Sequence, residues 1–201
     1  MYSPAYNRLE DRAELLAFMR QNNFPVLVTG LGGSLHASHL PAMIHEAGDK
    51  IVIDMHMAHA NPQWHEFFDE EVLVIFTGAH AYVSPRWYEE QERVPTWNYA
   101  AVHAYGVPQM IKEEAVKHAS QRRLVEYMDP AWLPKFDALS GKYLSGMLNG
   151  IVNFQIPVSR IETRWKLSQN RGRREMELIV AELEKAGETA LAALMRKHLV
   201  P

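Results

Sequence analysis

Apolar positions recur at two spacings along this chain, and each change of spacing predicts an element. From about Leu9 to Arg20, Leu15, Leu16 and Met19 share one helical face, with Asn7 and Glu10 as a capping pair. Asn22-Asn23 stops that helix. Phe24 to Thr29 reads as a strand and Gly30-Leu31-Gly32-Gly33 as a hairpin turn. Leu35 to Ile44 reads as a second strand, with Pro41 at an edge, an end or a bulge. Ala47-Gly48-Asp49 turns the chain into a third strand, Lys50 to His56. Asn61 as cap and Pro62 in the first position start a short helix ending near Phe68. The apolar run Val72 to Phe76 predicts a strand buried on both faces, and Tyr82 to Pro85 continues the sheet after a turn at Gly78. A polar, acidic loop, Tyr88 to Val94, leads into alternation from Trp97 to Val107. That alternation places Trp97, Tyr99, Ala101, His103 and Tyr105 on one face. A helix follows over Lys112 to Met128.

The last strand changes register. Val152, Phe154, Ile156 and Val158 alternate on even positions, whereas Ile161, Thr163, Trp165 and Leu167 alternate on odd ones. A slip of one predicts a bulge near Ser159-Arg160, or two strands joined by a bend. Met176, Ile179, Val180 and Leu183 then form a helical stripe closed by Gly187, and a final helix carries Leu191, Leu194 and Met195. Short strands joined mostly by hairpins predict a mainly β (α+β) antiparallel barrel with flanking helices, and disfavour a doubly wound parallel sheet.

Composition narrows the function classes. The chain has 201 residues, 47% hydrophobic and 22% charged, which are ordinary globular values. The expected division is a barrel domain over 1–168 and a C-terminal helical extension over 169–201 packed on it. With no cysteine, disulfides, Cys-ligated zinc and thiolate catalysis are excluded. The balance of 21 Lys+Arg against 24 Asp+Glu gives no support to a dedicated DNA-binding module. The one dense basic patch, Arg171, Arg173 and Arg174, is either a solvated helix start or a DNA contact. Apolar runs are too short to span a membrane, and Met1-Tyr2-Ser3-Pro4 opens no signal peptide; a cytoplasmic location is expected.

Candidate chemistry concentrates in three places. Of 10 histidines, six fall between His36 and His65. A metal site is not predicted there, because His36 and His39 point to opposite faces of a strand and no HExxH occurs. The alternative is that His39, His56 and His59 bind an anion where the strand before His59 hands over to the helix after Asn61. Pro95-Thr96-Trp97-Asn98-Tyr99 is either a core strand with a polar rim or an aromatic wall for a planar ligand. Lys166-Leu167-Ser168-Gln169-Asn170 is either a helix cap or a contact for a phosphate or polar ring edge. Gly30 to Gly33 lacks the spacing of a nucleotide loop, and no G-x-S-x-G or Walker pattern is present.

Several segments together resemble one family. They are Ser38-His39-Leu40-Pro41, the run from His56 to Trp64, the run from His80 to Tyr88, Val94 to Tyr99, and Lys166 to Asn170, with Met1 to Pro4 also similar. Their order and spacing are similar to those of the PaiB-type FMN-binding negative transcriptional regulators. The resemblance implies an FMN-binding split β-barrel, a homodimer with FMN at its interface, and a role in repressing sporulation or protease genes. It implies that the phosphate lies near His56, Met57, His59 and Asn61, with Ser38 and His39 on the adjoining strand. Thr96, Trp97 and Asn98 would flank the ring, from the same or the partner subunit, and Lys166, Ser168, Gln169 and Asn170 would close the site. No catalytic residue is implied. A flavin-dependent oxidoreductase of the pyridoxamine-phosphate-oxidase or flavin-reductase type is the alternative, followed by a haem-binding or haem-degrading barrel. The sequence departs from the family pattern at three places: His59 replaces Arg or Lys, Ser38 replaces Thr, and Thr163-Arg164 replaces Gly-Lys. Because imidazole is only partly charged at neutral pH, weaker phosphate affinity is expected.

Overall fold

The computed structural model describes every residue except 32, 68, 69, 90, 91 and 201. The expected helix end near Phe68, Gly32 of the first turn, and residues 90–91 of the acidic loop lie outside the described residues. In chain order the first elements are α1 (Arg12–Gln21), β1 (Val26–Leu31), β2 (Ser34–His39), β3 (Ala42–Ala47), β4 (Lys50–Ala58), β5 (Val72–Val83) and β6 (Thr96–Gly106). Then follow β7 (Gln109–Ile111), α2 (Glu114–Met128), α3 (Leu133–Asp137), α4 (Gly141–Asn149), β8 (Ile151–Lys166), α5 (Arg173–Lys185) and α6 (Thr189–Lys197). Short 3-10 segments stand at Ala5–Asn7, Pro62–Glu66 and Pro85–Trp87. Among the described residues the strands follow the order β2-β1-β5-β6-β8-β4-β3, with β7 added on β8. The order starts and ends on different strands, so this antiparallel sheet with flanking helices is not closed, as a split barrel requires. The chain divides into two compact units. Unit 1 is Met1–Asn22, Phe76–His103 and Glu162–Pro201; unit 2 is Asn23–Ile75 and Ala104–Ile161.

In unit 2, turn chemistry sets the hairpins. β1 and β2 pair from Val26↔His39 to Leu31↔Ser34, so Gly30 and Leu31 belong to the ladder and not to the turn. Gly33 has φ 88° and Gly48, between β3 and β4, has φ 60°, a left-handed conformation that glycine adopts without a Cβ clash. The single strand expected over Leu35 to Ile44 is two strands, broken at Leu40-Pro41. Proline brings no N–H to a ladder there. The flanking N–H groups of Leu40 and Ala42 donate instead to the carbonyls of Pro25 and Asn23, at 3.2 and 2.9 Å. β4 turns Ile51, Ile53, Met55 and Met57 into the core and pairs with β8 from Val52↔Pro157 to Ala58↔Ile151.

In unit 1, α1 is capped by Asp11, whose carboxylate accepts from the Glu14 N–H, and not by the Asn7–Glu10 pair. Asn7 lies earlier, buried in a 3-10 segment, because a cap must directly precede the first helical residue. β5 runs unbroken through Gly78, so the expected turn there is absent. A Cβ on Gly78 would stand 2.4 Å from Cε2 of Phe18, whose ring packs on Trp165 at a centroid distance of 4.7 Å. The run Val72 to Phe76 alternates buried and half-buried positions, so it is not buried on both faces. β8 is one strand with the expected slip: Val152, Phe154 and Ile156 are buried, then Thr163 and Trp165, with Ser159 and Arg160 exposed at the change. The α5 stripe Met176, Ile179, Val180 and Leu183 is buried, and Gly187 takes φ 83° after it. Three elements were not expected. β7 has only three residues, α3 only five, and Gly146 in the interior of α4 depresses helix propensity.

Candidate cofactor site

The expected site residues fall into two groups, one in each unit. In unit 2, β2 brings Ser38 against the segment after β4. Asn61 Nδ2 donates to Ser38 Oγ at 3.0 Å, and Asn61 Oδ1 accepts from the Gln63 N–H at 3.0 Å, capping the turn that follows. That turn is a five-residue 3-10 helix, too short for a useful macrodipole, so side chains are the phosphate donors available here. His59 is exposed and held through its backbone. Its N–H donates to the Gly150 carbonyl at 2.8 Å, and the Trp64 indole N–H donates to its carbonyl at 3.0 Å. His39 is exposed and stacks on Phe24 at 5.9 Å. His56 is half-buried on the face of β4 opposite Met57, and burial lowers its pKa, so the ring is neutral near pH 7. Met57 is 2% exposed; its side chain belongs to the core.

Sequence reasoning missed what anchors this corner. Gln63 is buried, with Nε2 3.2 Å from each of the Leu27 carbonyl, Thr29 Oγ1 and the His36 carbonyl. Glu66 accepts from Thr29 Oγ1 at 2.6 Å and also pairs with His36. These bonds pin the 3-10 turn to β1 and β2, and so fix Asn61. The only sequence signal was that Gln63 follows the Asn61-Pro62 cap.

In unit 1, β6 separates its first residues by face. Trp97 is 54% exposed, whereas Asn98 is completely buried. Asn98 and Ser168 bond to each other, and Asn98 Nδ2 also reaches Met195 Sδ at 3.4 Å. Lys166 Nζ donates to Thr96 Oγ1 and to the Trp97 carbonyl, the latter at 2.8 Å. Burial, and then the Arg164 charge, lower the Lys166 pKa. Gln169 folds back on its own strand end: Oε1 accepts from the Leu167 N–H at 2.8 Å and Nε2 donates to the Trp165 carbonyl. Asn170 is exposed. Exposed Tyr82 and His80, which sequence reasoning left out of the site, each bring a ring within 6.2 Å of Trp97. The basic patch is already engaged. Arg173 pairs with Glu177 and Arg174 with Glu89, both at 3.0 Å, and Arg171 lies 5.6 Å over Tyr88.

The family model described as "Putative FMN-binding domain" matches residues 1–160. The chain belongs to this family. It is 38% identical over 205 aligned residues to "Protease synthase and sporulation protein PAI 2" of Bacillus subtilis (strain 168), covering 99% of this chain and 98% of that one. Among solved structures, the flavocytochrome Anf3 from Azotobacter vinelandii superposes with a TM-score of 0.63 at 14% identity, covering 80% of this chain and 69% of that one. The FAD and heme binding protein from Mycobacterium smegmatis superposes with a TM-score of 0.61 at 13% identity, covering 80% and 73%. At such identities the likeness shows the fold, that of the split barrels.

FMN is the cofactor this membership carries, and the donor chemistry fits it. Ser38 and Asn61 are neutral donors suited to phosphate oxygens, His59 adds an exposed imidazole, and Lys166 is a cation held on the Trp97 carbonyl. Bound flavin supplies one- and two-electron redox chemistry; the protein supplies hold and orientation. Among the described residues no group of His, Cys, Asp and Glu could hold a metal ion. Among the described residues no helix is long and apolar enough to cross a membrane.

Proposed function

We propose that this protein is an FMN-binding homodimer that acts as a negative regulator in the control of protease synthesis and sporulation. Those two processes stand in the name of its Bacillus relative. The phosphate is held by Ser38, His59 and Asn61, with His39 and His56 on the adjoining strands. The ring lies against Trp97 and Lys166 of the second copy. The observation that carries this reading is the state of the donors: Ser38 and Asn61 are pre-ordered by their mutual bond, and Lys166 by its bonds to Thr96 and Trp97. Pre-ordering lowers the cost of binding.

The test is gel filtration of purified protein after incubation with FMN, read by flavin absorbance, beside sedimentation velocity. Co-eluting flavin on a species of twice 23.1 kDa is expected, with His59→Arg retaining more flavin than the parent. A colourless protein, or a monomer at micromolar concentration, overturns the reading.

A further inference from the structure

We propose that the outward face of α4 is a self-docking seam. The α4 helices of two copies cross antiparallel at Gly146, and each Gly146 receives the Tyr143 and Met147 side chains of the other copy. The proposal rests on the homodimer in the reading above and not on its flavin. It uses none of the side chains assigned to the cofactor.

α4 has two apolar faces where a surface helix needs one. At about 100° per residue, Leu144 and Leu148 share the inner face, the first half-buried and the second buried. Tyr143, Gly146, Met147 and Gly150 share the opposite face, at the spacing that makes helix neighbours. Tyr143 and Met147 are each 55% exposed. Beside them Gly146 leaves a gap: a Cβ there would meet nothing within 4 Å, and its φ lies outside the left-handed region. Glycine inside a helix costs stability relative to alanine, and neither packing nor conformation within one chain calls for it here. Two bulky side chains flanking a hole make a surface that fits its own image about a two-fold axis.

Charge fixes both the occupant and its direction. The helix dipole favours acids in a first turn and bases in a last one, and α4 has neither. Its one charged residue, Lys142, stands exposed in the first turn, the wrong end for its own dipole. In an antiparallel pair centred on Gly146, position 142 of one copy lies against position 150 of the other. Each Lys142 then meets the partial negative charge at the C-terminus of the other copy's helix, and symmetry makes the contact twice. The surrounding segment 112–150 carries six Lys and Arg against five Asp and Glu. Such near neutrality suits a surface that faces its own copy and not a polyanion.

A nine-residue helix cannot hold two copies alone, against about 800 Å² per partner in a stable complex. The seam therefore extends the cofactor interface. α4 ends beside the phosphate corner: the Gly150 carbonyl accepts the His59 N–H at 2.8 Å, and β8 starts at Ile151. Docking at α4 thus steadies the backbone of His59, so that assembly and flavin retention rise together.

The chain has no cysteine, so single-cysteine variants report the seam directly. Packed helix axes lie about 8–10 Å apart with each Cα about 2.3 Å off its axis, which brings Cα atoms at the crossing within disulfide reach. Under mild oxidation Gly146→Cys should form a reducible species of twice 23.1 kDa, about tenfold faster than the exposed Glu10→Cys does. Gly146→Leu fills the hole. It should raise the dissociation constant from sedimentation about tenfold while helix content by circular dichroism is kept, since leucine is the better helix former. Lys142→Glu should weaken association about fivefold, and Lys142→Arg should not. Gly146→Cys linking no faster than Glu10→Cys, or Gly146→Leu sedimenting as the parent does, overturns the seam. A parent dimer that sheds FMN sinks the cofactor reading alone. A flavin-loaded dimer indifferent to Gly146→Leu and unlinked through Gly146→Cys sinks the seam alone. A parent that sediments as a monomer yet links selectively through Gly146→Cys overturns the stable homodimer and supports the seam.

Discussion

Asn98 and Ser168 bond to each other in both directions: the Asn98 amide N–H reaches Ser168 Oγ at 2.9 Å, and the Ser168 hydroxyl returns to Asn98 Oδ1 at 3.2 Å. Both residues are buried, and Ser168 takes φ 66°, the one described non-glycine residue in the left-handed region. Ser168→Ala removes the partner and keeps the backbone strain. It should cost about 1–3 kcal/mol, the price of leaving a buried amide unpaired. Ser168→Gly loses the same hydroxyl but relieves the left-handed backbone, worth about 1–2 kcal/mol. Urea denaturation should therefore rank parent above Gly above Ala. An Ala variant as stable as the parent would show that the exchange contributes nothing.

Asn61 is asked to do two jobs with one amide. Asn61→Ala loses the cap on Pro62–Glu66 and the bond to Ser38, and should destabilise by about 1–2 kcal/mol. Asn61→Asp keeps the capping acceptor but cannot donate to Ser38. It should melt near the parent temperature yet retain less FMN, since it adds a negative charge beside the phosphate donors. Flavin retention equal to the parent in both variants would remove Asn61 from the site.

Two glycines separate space from conformation. A Cβ at Gly106 would stand 2.4 Å from the Pro157 carbonyl oxygen, which is backbone and has nowhere to go. At Gly78 it would meet the tip of the Phe18 ring at the same distance, and a side chain can shift. Gly106→Ala should therefore cost more than Gly78→Ala, each in the range of about 1–3 kcal/mol typical of overpacking. Denaturant midpoints of the two variants decide this, and the reverse order would mean that β8 yields more readily than the Phe18 ring.

The pH dependence has a definite sign. Burial lowers the pKa of His56 below 6.5, and His103 shifts the same way through burial and the nearby N-terminus. The folded protein thus binds fewer protons than the unfolded chain just below pH 6.5. The stability these rings contribute is fully present above that value and is lost as pH falls through their lower folded values. His56→Gln should flatten this acid limb in urea titrations. A limb of unchanged slope would place the dependence on other groups.

Local rules made much of this protein legible. The β8 slip, the Gly48 turn, the Asn61 cap and the α5 stripe all follow from periodicity or turn chemistry within a few residues, and the structure has each of them. Motif order carried the family. Where local rules compete, they misled: Gly78 reads as a turn until the Phe18 ring is seen filling the space its missing Cβ leaves, and Asn7 reads as a cap until Asp11 is seen taking the role.

The sequence by itself determined the strand-and-hairpin character, the split-barrel family and the segments from which a site is drawn. Tertiary structure alone decided what each residue in those segments faces. Met57 and Asn98 turn into the core while their neighbours His56 and Trp97 lie outside it. Ser38 meets Asn61 across 23 residues, and Lys166 meets Trp97 across 69. The physical reason is range. Side-chain period and turn preference are properties of adjacent residues. Strand register and core packing set contacts between distant ones, and a shift of one residue exchanges every inward side chain for an outward one.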